Sequence, residues 1–320
     1  MEQSSGTGLP SPPFYAIDKL DNFRDAALAC GGLRTANGKS VRRGVLWRSA
    51  EVSRVEGEGW REIHGLGVAH VFDLRSKPEV DKGWAGITGE ANAGVSNAQR
   101  DWEETLKSVG VARSWVPVFA DDDYSPERLA ERFMKYMDEA VEGFIEAYHD
   151  ILSHAGPAFR AILLYLASIP PPANQESEKV GALIHCTAGK DRTGIFFGLL
   201  LSFLGVSDQQ IADEYQLTEG GLAHIHERVV PRLMASPAFD KYMLGQRKDG
   251  QSKDAPLTDQ ELKEGRKAAL RMLGAKRESM LGALEMLRRE WGNAEGYMRS
   301  VCGLGDEELQ ALRRNLVVEV

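Results

Sequence analysis

Cysteine is scarce in this 320-residue chain: Cys30, Cys186 and Cys302 are its whole supply. They are odd in number and far apart, with no CxxC pair, which excludes a disulfide framework and a cysteine-rich zinc site. A reducing, cytoplasmic setting is expected. Long apolar runs are missing too. The longest, IFFGLLLSFLGV, has twelve residues, against about twenty for a bilayer crossing. The opening MEQSSGTGLPSPP has neither the basic nor the apolar region of a signal peptide. Positive charge is not in excess. The formal net charge is -8, so bulk attraction to nucleic acid or to an acidic membrane is not expected. No internal repeat is visible. What remains is 42% hydrophobic and 27% charged, a soluble globular balance with enough chain to bury a sizeable core.

Residues 1–13 are polar and rich in Pro and Gly, and are expected to be disordered. GGLRTANGKSVRRGVLWRS predicts a hairpin turning at Asn37-Gly38, a dipeptide suited to positive φ. Glu58 to Gly65 predicts a short helix, VAHVFDLRS from Val68 a buried strand, and SWVPVFA another strand. Residues 81–110 carry no clear pattern. After the acidic run Asp121, Asp122 and Asp123, Ser125-Pro126 predicts a helix start. Apolar residues at helical spacing then predict two or three amphipathic helices up to Ser168. VGALIH predicts a strand and Thr193 to Gly205 a helix. Ser207 with Gln210, and Thr258 with Glu261, are capping-box starts. Strands alternating with helices predict an α/β fold around a mainly parallel sheet. The helical tail 257–320 is expected to pack on that domain, since about sixty residues make a marginal core alone.

The chemistry concentrates in VGALIHCTAGKDRTG, residues 180–194. An apolar strand ends at His185-Cys186, and a helix begins near Thr193. Gly189 permits the tight turn between them. Successive amides in such a turn, from Thr187, Ala188, Gly189 and Lys190 to Thr193 and Gly194, face inward as a concave anion site. The helix N-terminus adds donors and dipole. Arg192 can grip two phosphate oxygens at once, and Lys190 adds a second cation. The same surroundings favour a thiolate at Cys186, which becomes an in-line nucleophile beneath a bound phosphoryl group. Thr193 can hydrogen-bond the sulfur. His185 is expected to bond the backbone rather than donate a proton. Cys30 and Cys302 are expected to be buried small hydrophobes.

HCTAGKDRTG resembles the signature of the cysteine-dependent protein tyrosine and dual-specificity phosphatases. The Lys-Asp before the arginine resembles a mycobacterial and fungal subgroup. DNFRDAALACGGL, LWRSAEVSRV leading to VFDLRS, and REWGNAEGYMRSVCGLGDEELQALR extend the likeness over most of the chain. The resemblance implies a single phosphatase domain over 14–320, with 125–168 as a helical lid inserted before the signature. It implies hydrolysis of phosphotyrosine, sometimes phosphoserine or phosphothreonine, and of phosphoinositides. It needs no cofactor. The leaving oxygen requires a proton donor. Related loops place that aspartate upstream, where Asp121 to Asp123 stand, whereas the subgroup favours Asp191.

Asn22, Arg24, Asp25, Arg48, Asp73 and Arg75 are expected mostly to brace the loop, with Arg75 the one to test for substrate contact. His224 and His226 have no third metal ligand at recognisable spacing. A phosphatase fold without turnover, binding phosphorylated partners, is the rival reading, yet such a module would typically lack the cysteine, arginine or acid that this chain keeps. Arsenate reductases carry the loop near the N-terminus with resolving cysteines, and sulfur transferases lack HCxxGxxRTG.

Overall fold

Short apolar runs ending in polar residues make the strands here. The computed structural model describes residues 8–83, 103–119, 126–138, 140–172, 178–247 and 257–319. Its strands are β1 (Arg24–Asp25), β2 (Ser40–Val41), β3 (Leu46–Ser49), β4 (Val68–Asp73), β5 (Ala112–Trp115), β6 (Gly181–His185) and β7 (Val317–Val318). Five form the central sheet in the order β1-β3-β6-β4-β5. All neighbours are parallel except β1 with β3. β6 lies in the middle and every residue of it is buried. A strand covered on both faces reads as a continuous apolar run, which GALI is.

The helices are α1 (Gly57–Gly65), α2 (Lys77–Lys82), α3 (Pro126–Met137), α4 (Val141–His154), α5 (Gly156–Ser168), α6 (Asp191–Phe203), α7 (Asp208–Leu222), α8 (His226–Met234), α9 (Pro237–Gln246), α10 (Asp259–Leu273), α11 (Arg277–Trp291), α12 (Ala294–Ser300) and α13 (Asp306–Leu316). α6 is buried on nearly all sides, as an all-round apolar helix must be. Both predicted caps form. The Ser207 side chain accepts from the Gln210 amide, and Thr258 makes a full capping box with Glu261. Among the described residues no single helix is long and apolar enough to cross a membrane.

Several expectations need correction. Order reaches back before Phe14: the Asp25 amide donates to the Pro13 carbonyl (3.1 Å) and the Phe14 amide to the Pro10 carbonyl. Residues 1–7 lie outside the described residues, as do Asp121, Asp122, Asp123, Ser125 and 84–102. The hairpin forms, but as a longer turn closed by Thr35 and Lys39, with Gly38 and not Asn37 at positive φ. Its β2 strand pairs with β7, which the sequence did not suggest. The β5 ladder stops at Trp115 instead of running on through Val116–Phe119, although the amides of Val116 (2.9 Å) and Val118 (3.3 Å) still donate to the carbonyls of Asp73 and Leu74.

The larger correction concerns 125–168. Phe144, Tyr148, Ile151 and Leu152 of α4 and Phe159, Ile162, Leu163 and Leu166 of α5 belong to the main hydrophobic core. These two helices are thus part of the core on which a lid was expected to pack. Met137, at the end of α3, instead joins a small separate cluster with Phe239, Met243 and Ala268 from α9 and α10. Cys302 is buried and its thiol is pushed up to about 12 by that burial. Cys30 is exposed, contrary to expectation. Its φ of +53° at a kink in the 3-10 segment Ala26–Gly31 accompanies that surface position.

Candidate active site

The strand–loop–helix around Cys186 is built from its backbone outward. Cys186 follows the central strand at its C-terminal end, the end where open parallel sheets present their sites. Gly189 has φ +64°, and a Cβ there would lie 2.0 Å from the Ser49 carbonyl oxygen. Only glycine fits both demands.

The loop's carbonyls are tied to the scaffold. The Asn22 amide group donates to the carbonyls of Ala188 (3.2 Å) and Gly189 (3.3 Å). Arg48 Nη2 donates to the Gly189 carbonyl at 2.8 Å. The Glu51 amide donates to the Thr187 carbonyl at 3.0 Å. Among the described residues, the amides of Thr187, Ala188, Gly189, Lys190 and Asp191 donate to nothing in the chain. Backbone donors are rarely left unused, and a run of them pointing one way is an anion cradle. The Thr193 hydroxyl is fully buried without a partner. Gly194 lets α7 pack closely, since a Cβ there would sit 2.8 Å from Tyr215 Cε2.

Charge braces the loop from behind. Glu214 of α7 is buried between Arg24 (2.8 Å) and Arg48. Burial and the neighbouring Arg48 push the Arg24 guanidinium down to about 9, against Glu214. A buried set of this kind is costly to break, by about 3–5 kcal/mol. Asp73 takes Arg75 and Arg113 (2.9 Å). Burial disfavours its ionisation, but Arg75, His185 and Arg113 outweigh that and hold its carboxyl far below the usual range. Arg75 is corrected as a substrate contact. It is buried, with Nε and Nη2 on Asp73 and Nη1 on Glu51. Asp25 caps Ala27 and accepts from Gly44, away from the loop.

Arg192 donates from Nη1 to Glu79 Oε2 at 2.7 Å and from Nη2 to the Thr187 hydroxyl at 3.2 Å. Glu79 also accepts from Thr187 and from Ser76 in the capping box of α2. Lys190 is buried. Its ammonium donates to the carbonyls of Met272 and Gly274 (3.2 Å) at the end of α10, and stands 3.4 Å from Asp191 Oδ1. The Tyr136 ring of α3 and the Phe144 ring of α4 flank it. Burial raises the Tyr136 hydroxyl well above its usual range, and nearby Asp191 and Cys186 add to this while Arg192 opposes it.

His185 Nδ1 lies 3.1 Å from the Cys186 carbonyl oxygen, an acceptor, so Nδ1 carries the proton. Burial pushes this imidazole down to about 4, Asp73 opposing. It is a neutral structural ring, as the sequence predicts. His224 pairs with Asp21 at 2.8 Å. Among the described residues no cluster of metal ligands occurs. Sequence reasoning missed Glu51, Glu79, Glu214, Tyr136, Tyr148 and Tyr215. Tyr148 and Tyr215 are read there only as apolar periodicity or not at all.

Comparison with known proteins agrees with this geometry. The chain is 24% identical over 312 residues to the triple specificity protein phosphatase PtpB of Mycobacterium tuberculosis, covering 91% of this chain and 95% of that protein. It is 32% identical over 183 residues to a tyrosine-protein phosphatase of Nostoc commune, covering 57% of this chain and 52% of that protein. It therefore spans about half the length of the Nostoc relative. A model of the tyrosine phosphatase family matches residues 15–318. The chain belongs to the tyrosine phosphatase family.

Proposed function

We propose that the protein hydrolyses phosphoric monoesters through a phosphocysteine on Cys186, with phosphotyrosine as the first substrate class. The observation that carries this reading is the ring of unpartnered amides from Thr187 to Asp191, its carbonyls tied outward, beside a buried thiol. In the first step the thiolate attacks phosphorus, the bond to the substrate oxygen breaks, and that oxygen takes a proton from Asp191. In the second, water gives its proton to Asp191 and attacks phosphorus, releasing phosphate and the thiolate. The cradle amides and Arg192, oriented by Glu79, hold the phosphoryl oxygens. The Thr193 hydroxyl, buried without a partner, is available to the departing sulfur.

Turnover of para-nitrophenyl phosphate falls to background in Cys186→Ser if this is right. Retained turnover overturns it and favours a binding module. The name of the mycobacterial relative, triple specificity, supports a repertoire wider than phosphotyrosine alone, and phosphoserine, phosphothreonine and phosphoinositides are the further classes we propose. For a polyanionic headgroup Lys190 would have to exchange its carbonyl partners for phosphate. The same assay on phosphopeptides and phosphoinositides decides the breadth.

A further inference from the structure

Asp191 is held by a feature that the loop itself does not supply. The Tyr148 hydroxyl, from α4, donates to Asp191 Oδ1 at 3.2 Å. It is also hydrogen-bonded to the Tyr215 hydroxyl, from α7. Both tyrosines are fully buried. Burial and nearby Asp191 raise both phenols well above their usual range, Tyr215 adding to this at Tyr148 and the hydrogen bond with Tyr148 opposing it at Tyr215, so both remain O–H donors. Tyr148 has one hydrogen and spends it on the carboxylate. The hydrogen between the two hydroxyls therefore comes from Tyr215. The chain runs in one direction, from Tyr215 to Tyr148 to Asp191 Oδ1.

The second oxygen is treated differently. Oδ1 receives Tyr148 and faces the Lys190 ammonium at 3.4 Å. Among the described residues, Oδ2 has no hydrogen-bond partner. A proton on Oδ1 would confront two donors, whereas on Oδ2 it would confront none. Tyr136 of α3 also lies near enough for the carboxylate to raise its hydroxyl. Three helices far apart in sequence thus converge on one carboxylate, and Gly194 provides the close approach that α7 needs.

We infer that Tyr148 is a positioning residue for Asp191, fixed in turn by Tyr215, so that Oδ1 is pinned and Oδ2 presents the proton to the leaving oxygen. This rests on the reading of Asp191 as the proton donor. A pair of tyrosines that only satisfy each other in a core would have no effect tied to the leaving group.

The test uses the full chain and two aryl phosphates, phenyl phosphate with a poor leaving group and para-nitrophenyl phosphate with a good one. Tyr148→Phe keeps the ring and removes only the hydroxyl. The kcat on phenyl phosphate should fall about tenfold or more, a fraction of what general acids supply, with KM nearly unchanged and a much smaller loss on para-nitrophenyl phosphate. Tyr215→Phe should give a smaller loss with the same selectivity, and serves if Tyr148→Phe misfolds. In the Asp191→Asn background Tyr148→Phe should change nothing further. Equal losses on both substrates, or undiminished losses in that background, overturn the positioning role. Asp191→Asn without leaving-group dependence overturns the donor assignment and the chain with it. Turnover that survives Cys186→Ser would instead sink the proposed function.

Discussion

His185 and Asp25 are both buried beside the sheet, and burial moves their protons in opposite senses. The imidazole is pushed down to about 4 by burial, while the unfolded chain titrates near its ordinary 6.5. Above pH 6.5 both states are neutral. As pH falls toward 4 the unfolded state takes up a proton that the folded state refuses, so stability is lost on the acid side. Asp25 is raised to about 6 by burial, against the amides of Gly44 and Ala27. Its contribution is fully present below about pH 4 and is lost as pH rises through 6. Between pH 4 and 6 the two oppose each other at on the order of 3 kcal/mol each. His185→Gln removes one side. Its stability deficit against the wild type should shrink by about 2 kcal/mol between pH 7 and pH 4.5, read from urea midpoints at each pH. A constant gap would refute the burial account. His185 was legible as a structural ring because it ends a buried apolar strand, one residue before Cys186. Glu214 and Glu79 were not legible, since an acid in an amphipathic helix looks alike whether it meets water or a buried arginine.

At the scale of elements, the loop after β6 depends on a neighbouring strand as much as on its own residues. Gly189 lies against the Ser49 carbonyl at the end of β3. An alanine would need positive φ and would place its Cβ 2.0 Å from that oxygen. Gly189→Ala should therefore cost about a hundredfold or more in kcat/KM on para-nitrophenyl phosphate by disordering the cradle. The sheet should persist, with far-ultraviolet circular dichroism unchanged. Normal turnover would mean that the loop can re-form without this turn. Strand and loop were readable because a buried strand shows as a plain apolar run and a tight turn shows as glycine. β5 was less so: its ladder residues Ala112–Trp115 are largely exposed and carry no alternation. α4 and α5 have helical periodicity that fixes their helicity. Which surface the apolar face covers is decided by packing, and here it covers the core.

At the scale of the whole molecule, Lys190 joins the loop after β6 to a cap assembled from distant segments. Met137 of α3, Phe239 and Met243 of α9 and Ala268 of α10 share an apolar cluster apart from the main core. Arg271 of α10 reaches the Met137 carbonyl at 2.9 Å. Lys190 closes the arrangement from below through the carbonyls of Met272 and Gly274, a cation where the dipole of α10 is negative. A small cluster of four buried residues holds less firmly than the core beneath it, so this contact should matter to local opening. Lys190→Ala removes charge-assisted bonds whose net contribution is about 1.5–3 kcal/mol. Amide exchange in Asp259–Leu273 and Pro126–Met137 should then rise about tenfold or more. Exchange in Val68–Asp73 and Gly181–His185 should not change. If the cap helices exchange as slowly as before, the lysine does not hold them, and its ammonium is available to the loop without opening the cap.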